Sequence, residues 1–165
     1  MPTGTERPGV DAVSFREALS AVCAPVAVVT SFHGERPHGT TVSAFCSLSL
    51  EPPLVLVCID RDAYVHDAFQ ASGVFVVNIL GAEQEDLSRL FASREPDKFR
   101  GLGYGAGLGG APVLADTLAA IECRLRHAYE GGDHTIFVGE VERTTVRAEG
   151  RPLLYYRGGY ARVEI

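Results

Sequence analysis

Short apolar runs separated by turn residues recur along this chain far more often than a sustained helical period. Val26-Ala27-Val28-Val29-Thr30-Ser31-Phe32 is a β-branched run that ends at the turn formers His33-Gly34-Glu35-Arg36-Pro37. Residues 38–50 return as a second strand, and the pair reads as a hairpin. Within that strand Val42, Ala44, Cys46, Leu48 and Leu50 alternate with Thr41, Ser43, Phe45, Ser47 and Ser49. Small hydroxyls therefore hold one face, interrupted at Phe45. After Pro52-Pro53, the unbroken apolar run 54–59 predicts a strand buried on both faces, and 74–80 predicts another. A hydroxyl-lined strand beside a buried one suits the wall of a polar ligand groove, while the same face taken alone is ordinary solvation. Segments 117–128, 135–146 and 153–163 supply the remaining strands, the last interrupted at Arg157-Gly158-Gly159.

Helical patterning is confined to three segments. Ser14-Phe15-Arg16-Glu17 fits a capping box, and Phe15, Leu19 and Val22 share a face, which predicts a helix over 14–24 ended by Pro25. A second helix is predicted from Asp62, as its cap, to Ala71, closed by Gly73. The third covers 83–92, with acidic residues early and Arg89 late, the polarity a helix dipole favours. Many strands, few helices and no regular βαβ alternation predict a mainly β fold, an antiparallel barrel rather than a doubly wound sheet. With 165 residues and no repeat or linker, a single domain is expected over 14–165, after a disordered segment 1–13.

Composition narrows the partners. A 46% hydrophobic content is enough for a real core. The formal net charge of -6 opposes bulk attraction to nucleic acid or an anionic membrane, leaving room for a local basic pocket. No apolar stretch approaches the roughly 20 residues of a membrane helix, and the opening MPTGTERPGVDA lacks the apolar run of a signal peptide. Cys23, Cys46, Cys58 and Cys123 form no C-x-x-C pair. They read as buried apolar residues of a reduced, cytoplasmic protein rather than as a disulfide framework or a zinc site.

Three motifs invite chemical readings. Gly105, Gly107 and Gly110 spell G-x-G-x-x-G, but a dinucleotide fingerprint needs a buried strand before it and a helix directly after. Neither is present, and the six glycines of 101–110 predict a mobile surface loop. Asp60-Arg61-Asp62 with His66-Asp67 matches no metal-ligand spacing and reads as capping, so no metal is expected. Gly131-Gly132-Asp133-His134 is turn chemistry. A histidine so placed is either a bystander of the turn or a ligand contact at a barrel mouth, and the residues alone leave both open. His33, His38, His66 and His127 are expected at the surface or at strand edges. No Gly-x-Ser-x-Gly, Walker loop or His-Glu-x-x-His occurs.

The run from Val26 through Gly39-Thr40-Thr41-Val42-Ser43-Ala44-Phe45-Cys46-Ser47 to Glu51-Pro52-Pro53 resembles the flavin reductase family, the small reductases of two-component monooxygenases. Gly73-x-Phe75-x-Val77-Asn78, Asp97-Lys98-Phe99, Gly132-Asp133-His134 and Pro152 to Tyr160 extend the likeness in family order. Asp60-Arg61-Asp62 is more charged than the serine-bearing versions of that segment. The resemblance implies an FMN-binding split barrel of antiparallel Greek-key type, a homodimer, and reduction of FMN or FAD for a partner monooxygenase. It implies that Gly39, Thr40, Thr41, Ser43 and Ala44 run beside the isoalloxazine, with the three hydroxyls at its polar edge. Cys58, Ile59, Asp60, Arg61, Asp62 and Tyr64 would follow the ribityl chain and phosphate, Arg61 as the phosphate partner because a guanidinium binds two oxygens at once. Phe91, Ala92 and Lys98 would close the far side, and His134, the catalytic candidate, would flank the nicotinamide with Tyr160. NADH is favoured over NADPH because no arginine cluster suits a 2′-phosphate. Two alternatives stay open on the sequence: a split barrel that holds flavin without turning it over, and a barrel with no ligand at all.

Overall fold

The computed structural model describes residues 9–163. Helix α1 (Ala12–Ser20) leads into the short β1 (Ala24–Pro25) and the hairpin β2 (Ala27–His33) and β3 (Arg36–Val42). Then come β4 (Phe45–Leu50), β5 (Pro53–Asp60), helix α2 (His66–Ser72), β6 (Val74–Ile79) and helix α3 (Glu85–Ala92). The ribbon β7 (Tyr104–Ala106) and β8 (Pro112–Leu114) precedes the long pair β9 (Ala119–Gly131) and β10 (His134–Val146). A last hairpin joins β11 (Leu153–Tyr156) and β12 (Gly159–Arg162).

Seven strands form one antiparallel sheet in the order β3-β2-β6-β9-β10-β5-β4. The two edge strands are consecutive in the chain, with only Ser43 and Ala44 between them. So short a tether brings the edges together, and the sheet has to curl into a barrel that stays split between β3 and β5. Ala44 completes the curl by accepting the Cys58 N–H at 2.9 Å.

The barrel core gathers Ala27, Val29, Phe75, Cys123 and Phe137 around Phe69 of α2. Phe69 stands 6.4 Å, centroid to centroid, from both Phe75 and Phe137. Each such ring contributes about 1.5–3 kcal/mol of burial. Val28 on the other face of β2, with Val26 just before the strand, enters a second core with Leu80, Phe91, Leu114 and Leu153. Asn78 sits between, fully buried. Its amide donates to the Val28 carbonyl and Thr30 Oγ1, both at 3.0 Å, and its oxygen accepts the Leu114 N–H at 2.9 Å.

Several local expectations are corrected. Segment 38–50 is two strands, because a single one could not pair β2 and β5 at opposite edges. Burial along β5 alternates, with Val55, Val57 and Ile59 inside and Leu54, Leu56 and Cys58 half-exposed, so the doubly buried strands are β2 and β6. Helix α1 starts at Ala12, since Asp11 rather than Ser14 is the cap and accepts the Val13 and Ser14 N–H groups, each at 2.9 Å. Residues 1–8 of the expected disordered segment lie outside the described residues, and Ala12 and Val13 are helical. Asp62 caps no helix. Asp60 Oδ1 accepts its N–H at 2.9 Å in a turn, and α2 begins at His66 and closes at the left-handed Gly73. The glycine segment is a paired ribbon with a tight turn, not a free loop, since the buried Glu122 carboxylate accepts the Leu108 N–H at 2.6 Å. Of the cysteines Cys123 alone is buried, while Cys23 and Cys46 are exposed.

Candidate active site

A cleft of about 230 Å³ opens at the split of the barrel, lined by Thr40, Ser43, Ala44, Cys58, Ile59 and His134 among others. Thr40, Asp60 and Ala63 also line a second groove of about 1250 Å³, so the two adjoin. The groove runs on past Tyr64, Phe91, Ala92 and Lys98 toward Tyr104. Ligand pockets commonly hold about 300–1,000 Å³. The cleft alone is therefore short of a whole nucleotide, and cleft and groove together exceed one.

The groove wall rests on Gly39. A Cβ built there would stand 2.6 Å from Phe91 Cε1 and 3.2 Å from Phe99 Cζ, so only glycine lets α3 lie this close to β3. Phe91 and Phe99 meet edge to face at 5.0 Å. The contact is locked from three sides. Thr41 Oγ1 donates to the Ser88 carbonyl at 2.6 Å, Tyr64 Oη to the Gly39 carbonyl at 3.2 Å, and Lys98 Nζ to the Phe91 carbonyl at 2.7 Å. Lys98 is 3% exposed, and its ammonium lies 5.0 Å from the centre of the Tyr64 ring. Burial pushes the Lys98 ammonium below its ordinary pKa and the Tyr64 phenol above its own.

At the cleft end, His134 opens β10 opposite Asp60. Its Nδ1 lies 2.7 Å from Asp133 Oδ1, and the residue lines the cleft. That hydrogen bond, with the imidazole's charge, holds the Asp133 carboxyl below its ordinary pKa. Behind it, His66 Nε2 lies 2.8 Å from Thr135 Oγ1, so His66 ties α2 to β10 and is not the surface residue expected.

Of the expected site residues Gly39, Arg61 and Tyr160 line neither cavity, and Thr41 lines the cleft with its hydroxyl already engaged. Arg61, in the turn that follows β5, pairs with Glu130 at 3.1 Å and lines neither cavity, while its neighbours Asp60 and Asp62 line the groove. The Thr41 hydroxyl is spent on α3. Tyr160 lies behind α3, its hydroxyl 2.8 Å from Ser88 Oγ and its ring under Arg89 at 4.8 Å, with no part in the wall near His134. Conversely Ala63, Phe99, Tyr104, Arg36 and Arg94 line the groove without having been singled out for it. The Asp97-Lys98-Phe99 motif marked their neighbourhood, and the rest needed the fold.

A hydroxyl-walled cleft, a pinned imidazole and a buried ammonium along one groove suit a flat polar heterocycle with an anionic tail. Residues 19–164 match the flavin reductase like domain. The chain belongs to that family. It is 40% identical over 157 residues to the reductase subunit HsaB of a flavin-dependent monooxygenase from Mycobacterium tuberculosis, covering 94% of this chain and 84% of that one. It is 42% identical over 162 residues to the NADH-dependent FMN reductase AsuE2 of Streptomyces nodosus subsp. asukaensis, covering 95% and 86%. Among solved structures, the NADH:FAD oxidoreductase SgcE6 of Streptomyces globisporus, in complex with NAD and FAD fragments, superposes with a TM-score of 0.89. That match has 38% identity and covers 93% of each chain. The flavin reductase fold expected from the sequence, an antiparallel split barrel, is the fold observed.

In this flavin reductase-like domain the close approach at Gly39 sets the groove. Gly39→Ala forces a Cβ against the fully buried Phe91 ring, an overpacking cost of about 1–3 kcal/mol. It should lower the unfolding midpoint and weaken flavin binding together. A variant with wild-type stability and wild-type flavin affinity would show that the contact does not shape the site.

Proposed function

We propose that the chain is an NADH-dependent flavin reductase whose product, reduced FMN or FAD, leaves for a partner monooxygenase. The observation that carries the reading is the hydroxyl-walled cleft at the barrel split adjoining the groove lined by the buried Lys98. The donor set fits a flavin. Thr40, Ser43 and the backbone of 43–44 offer hydrogen bonds to the ring's polar edge, and Lys98, in the place expected of Arg61, is the buried cation for the tail.

When bound, the flavin supplies the redox chemistry, and the protein supplies position and electrostatics. Thr40 and Ser43 hold the ring in the cleft, and the Gly39–Phe91 wall keeps water from its far side. His134, oriented by Asp133, presents Nε2 to the carboxamide of the nicotinamide. That contact would orient the nicotinamide for hydride transfer, which needs the reacting atoms roughly 3–3.5 Å apart. Tyr160 has no role in this arrangement within one protomer. NADH is the favoured donor over NADPH. No described helix is long and apolar enough to cross a membrane, and a cytoplasmic enzyme fits the reading.

The homodimer belongs to the same proposal. Helix α1 buries none of its residues, and Val13, Phe15, Leu19 and Val22 are exposed, as is Leu50 at 93% on the edge strand β4. Burial of such surface on a second copy would stabilise about 25 cal/mol per Å². Sedimentation of the pure chain should give a dimer mass, and a monomer at micromolar concentration would remove this part.

The activity itself is read by mixing the chain with NADH and FMN or FAD at pH 7 and following NADH absorbance. Oxidation above the flavin-free control is expected, and none with either flavin would refute the function. His134→Ala separates position from binding. Misplacement near 1 Å costs on the order of 100-fold in rate, so stopped-flow reduction should slow by about that factor while the flavin Kd stays within about threefold, under 1 kcal/mol. Normal reduction by the variant would return His134 to a bystander of the turn.

A further inference from the structure

His134 stands at the end of a ladder, and strand ends are the first to fray. Its pairing with Asp60 is the last rung between β10 and β5. Before it the chain turns through Gly131, Gly132 and Asp133, with Gly132 at a φ of +74°. A side chain so placed keeps its aim only if the strand behind it is fastened. Two side chains from the segment after β5 reach this end of the β9–β10 hairpin, one on each side of His134 in the sequence. Arg61 meets Glu130 at 3.1 Å, and His66 Nε2 meets Thr135 Oγ1 at 2.8 Å.

Exposure separates the two fastenings. The side chains of Arg61 and Glu130 are 52% and 80% exposed, and an ion pair in water holds little. The His66 side chain is 12% exposed, and its ring lies 5.6 Å from that of the buried Phe137. Water competes less for its hydrogen bond, which is the stronger for that. Its Nδ1 lies 3.1 Å from Asp67 Oδ1, so the Nδ1 proton goes to that carboxylate and Nε2 accepts from the Thr135 hydroxyl.

Register sets the side from which His66 grips. Residues opposed across a ladder share a face, and neighbours along a strand alternate. His134 opposes Asp60, and both line the cleft. Thr135 takes the other face with Phe137, which is buried in the barrel core. Neither His66 nor Thr135 lines the cleft or the groove. His66 belongs to the opposing wall as well. It is the first residue of α2, and its N–H donates at 2.9 Å to the carbonyl of Ala63, which lines the cleft. One imidazole thus joins the turn that walls the cleft to the strand that carries His134.

We propose that His66 is a positioning residue for flavin reduction, holding the start of β10, and with it His134, through the Thr135 hydroxyl. This rests on the flavin reductase reading and deepens it, by adding a residue that touches neither flavin nor nicotinamide.

The test reads rate and motion separately in the full chain. His66→Phe keeps a ring against Phe137 and removes the hydrogen bond. Thr135→Val removes it from the other side with little change of shape, and serves alone should His66→Phe fail to fold. His66→Gln can restore it through the side-chain amide, and Glu130→Ala breaks the exposed ion pair for contrast. Flavin Kd, stopped-flow reduction at saturating NADH and amide hydrogen exchange over residues 131–136 are measured for each. A displacement of part of an ångström is expected to slow reduction about tenfold in His66→Phe and in Thr135→Val. Flavin Kd should stay within about twofold, and exchange should rise in the same two variants. Combining them should slow reduction no further, because the same bond is lost either way. His66→Gln should recover both rate and exchange, and Glu130→Ala should stay within about twofold throughout. Wild-type reduction in the folded variants, or additive losses in the double variant, overturns the proposal. Exchange keeps it apart from the reading beneath it. A chain that reduces no flavin but exchanges faster in both variants loses the function and keeps the clamp. An active reductase whose rate and exchange ignore both variants does the reverse.

Discussion

The site depends on one missing methyl group. Gly39 lets the Phe91 ring lie on the backbone of β3 at a distance no side chain there would permit. Everything that walls the groove is referred to that contact. The end of α3 is seated by it, Lys98 caps the carbonyl of the same phenylalanine, and Tyr64 reaches the carbonyl of the same glycine. Because packed interiors deform little, a shift of one ring would be passed to all three. The aromatic row Phe91–Phe99–Tyr104 carries the same constraint outward along the groove.

A second constraint places the cleft. Two residues join the opposite edges of a seven-stranded sheet, so closure and the binding cleft arise at the same point in the chain. Ser43 and Ala44 cannot belong to a regular strand, since β3 pairs with β2 and β4 with β5. Both residues line the cleft, and the Ala44 carbonyl is taken by the Cys58 N–H. A cleft made this way comes lined with main-chain and hydroxyl groups, which suits a heterocycle with several hydrogen-bonding positions better than an apolar ligand.

What was legible in the sequence follows from the range of the interactions involved. Runs such as 26–32 and 74–79 read correctly because apolar clusters bury both of their faces, Val74 and Val76 packing with Ala111 and Ala120, and the β-branched pattern records that. The turn before His134 read correctly for a local reason, since Gly-Gly-Asp can do little else. The failures involve partners distant in sequence. Thr41 looked free until Ser88 claimed its hydroxyl, and the glycine segment looked mobile until Glu122 pinned it. Segment 38–50 kept one alternating pattern across a change of partner strand, which periodicity does not register. Residues 40–44 and 58–60, which the family likeness assigned to the flavin, line the cleft, whereas Arg61 and Tyr160, assigned by the same likeness, line neither cavity.

Placing Lys98 rather than Arg61 against the ligand's charge, as the proposed function does, has a physical logic. Arg61, 52% exposed at its side chain and paired with Glu130, is already solvated and neutralised, and has little to gain from an anion. Lys98 is the opposite case. Its ammonium has one hydrogen bond where it could make three, and a ring face where it could have water. Burial alone lowers its pKa, which measures how poorly the site solvates the charge. By linkage, whatever restores the charged form is bound more tightly for doing so, and an anion in the groove is the group that does. The fold thus tolerates a buried lysine at some cost to its own stability, and the cost is offset when the groove is filled. A surface arginine at the mouth could steer a ligand inward, but only a desolvated cation ties the ligand's charge to the conformation of the wall that holds it.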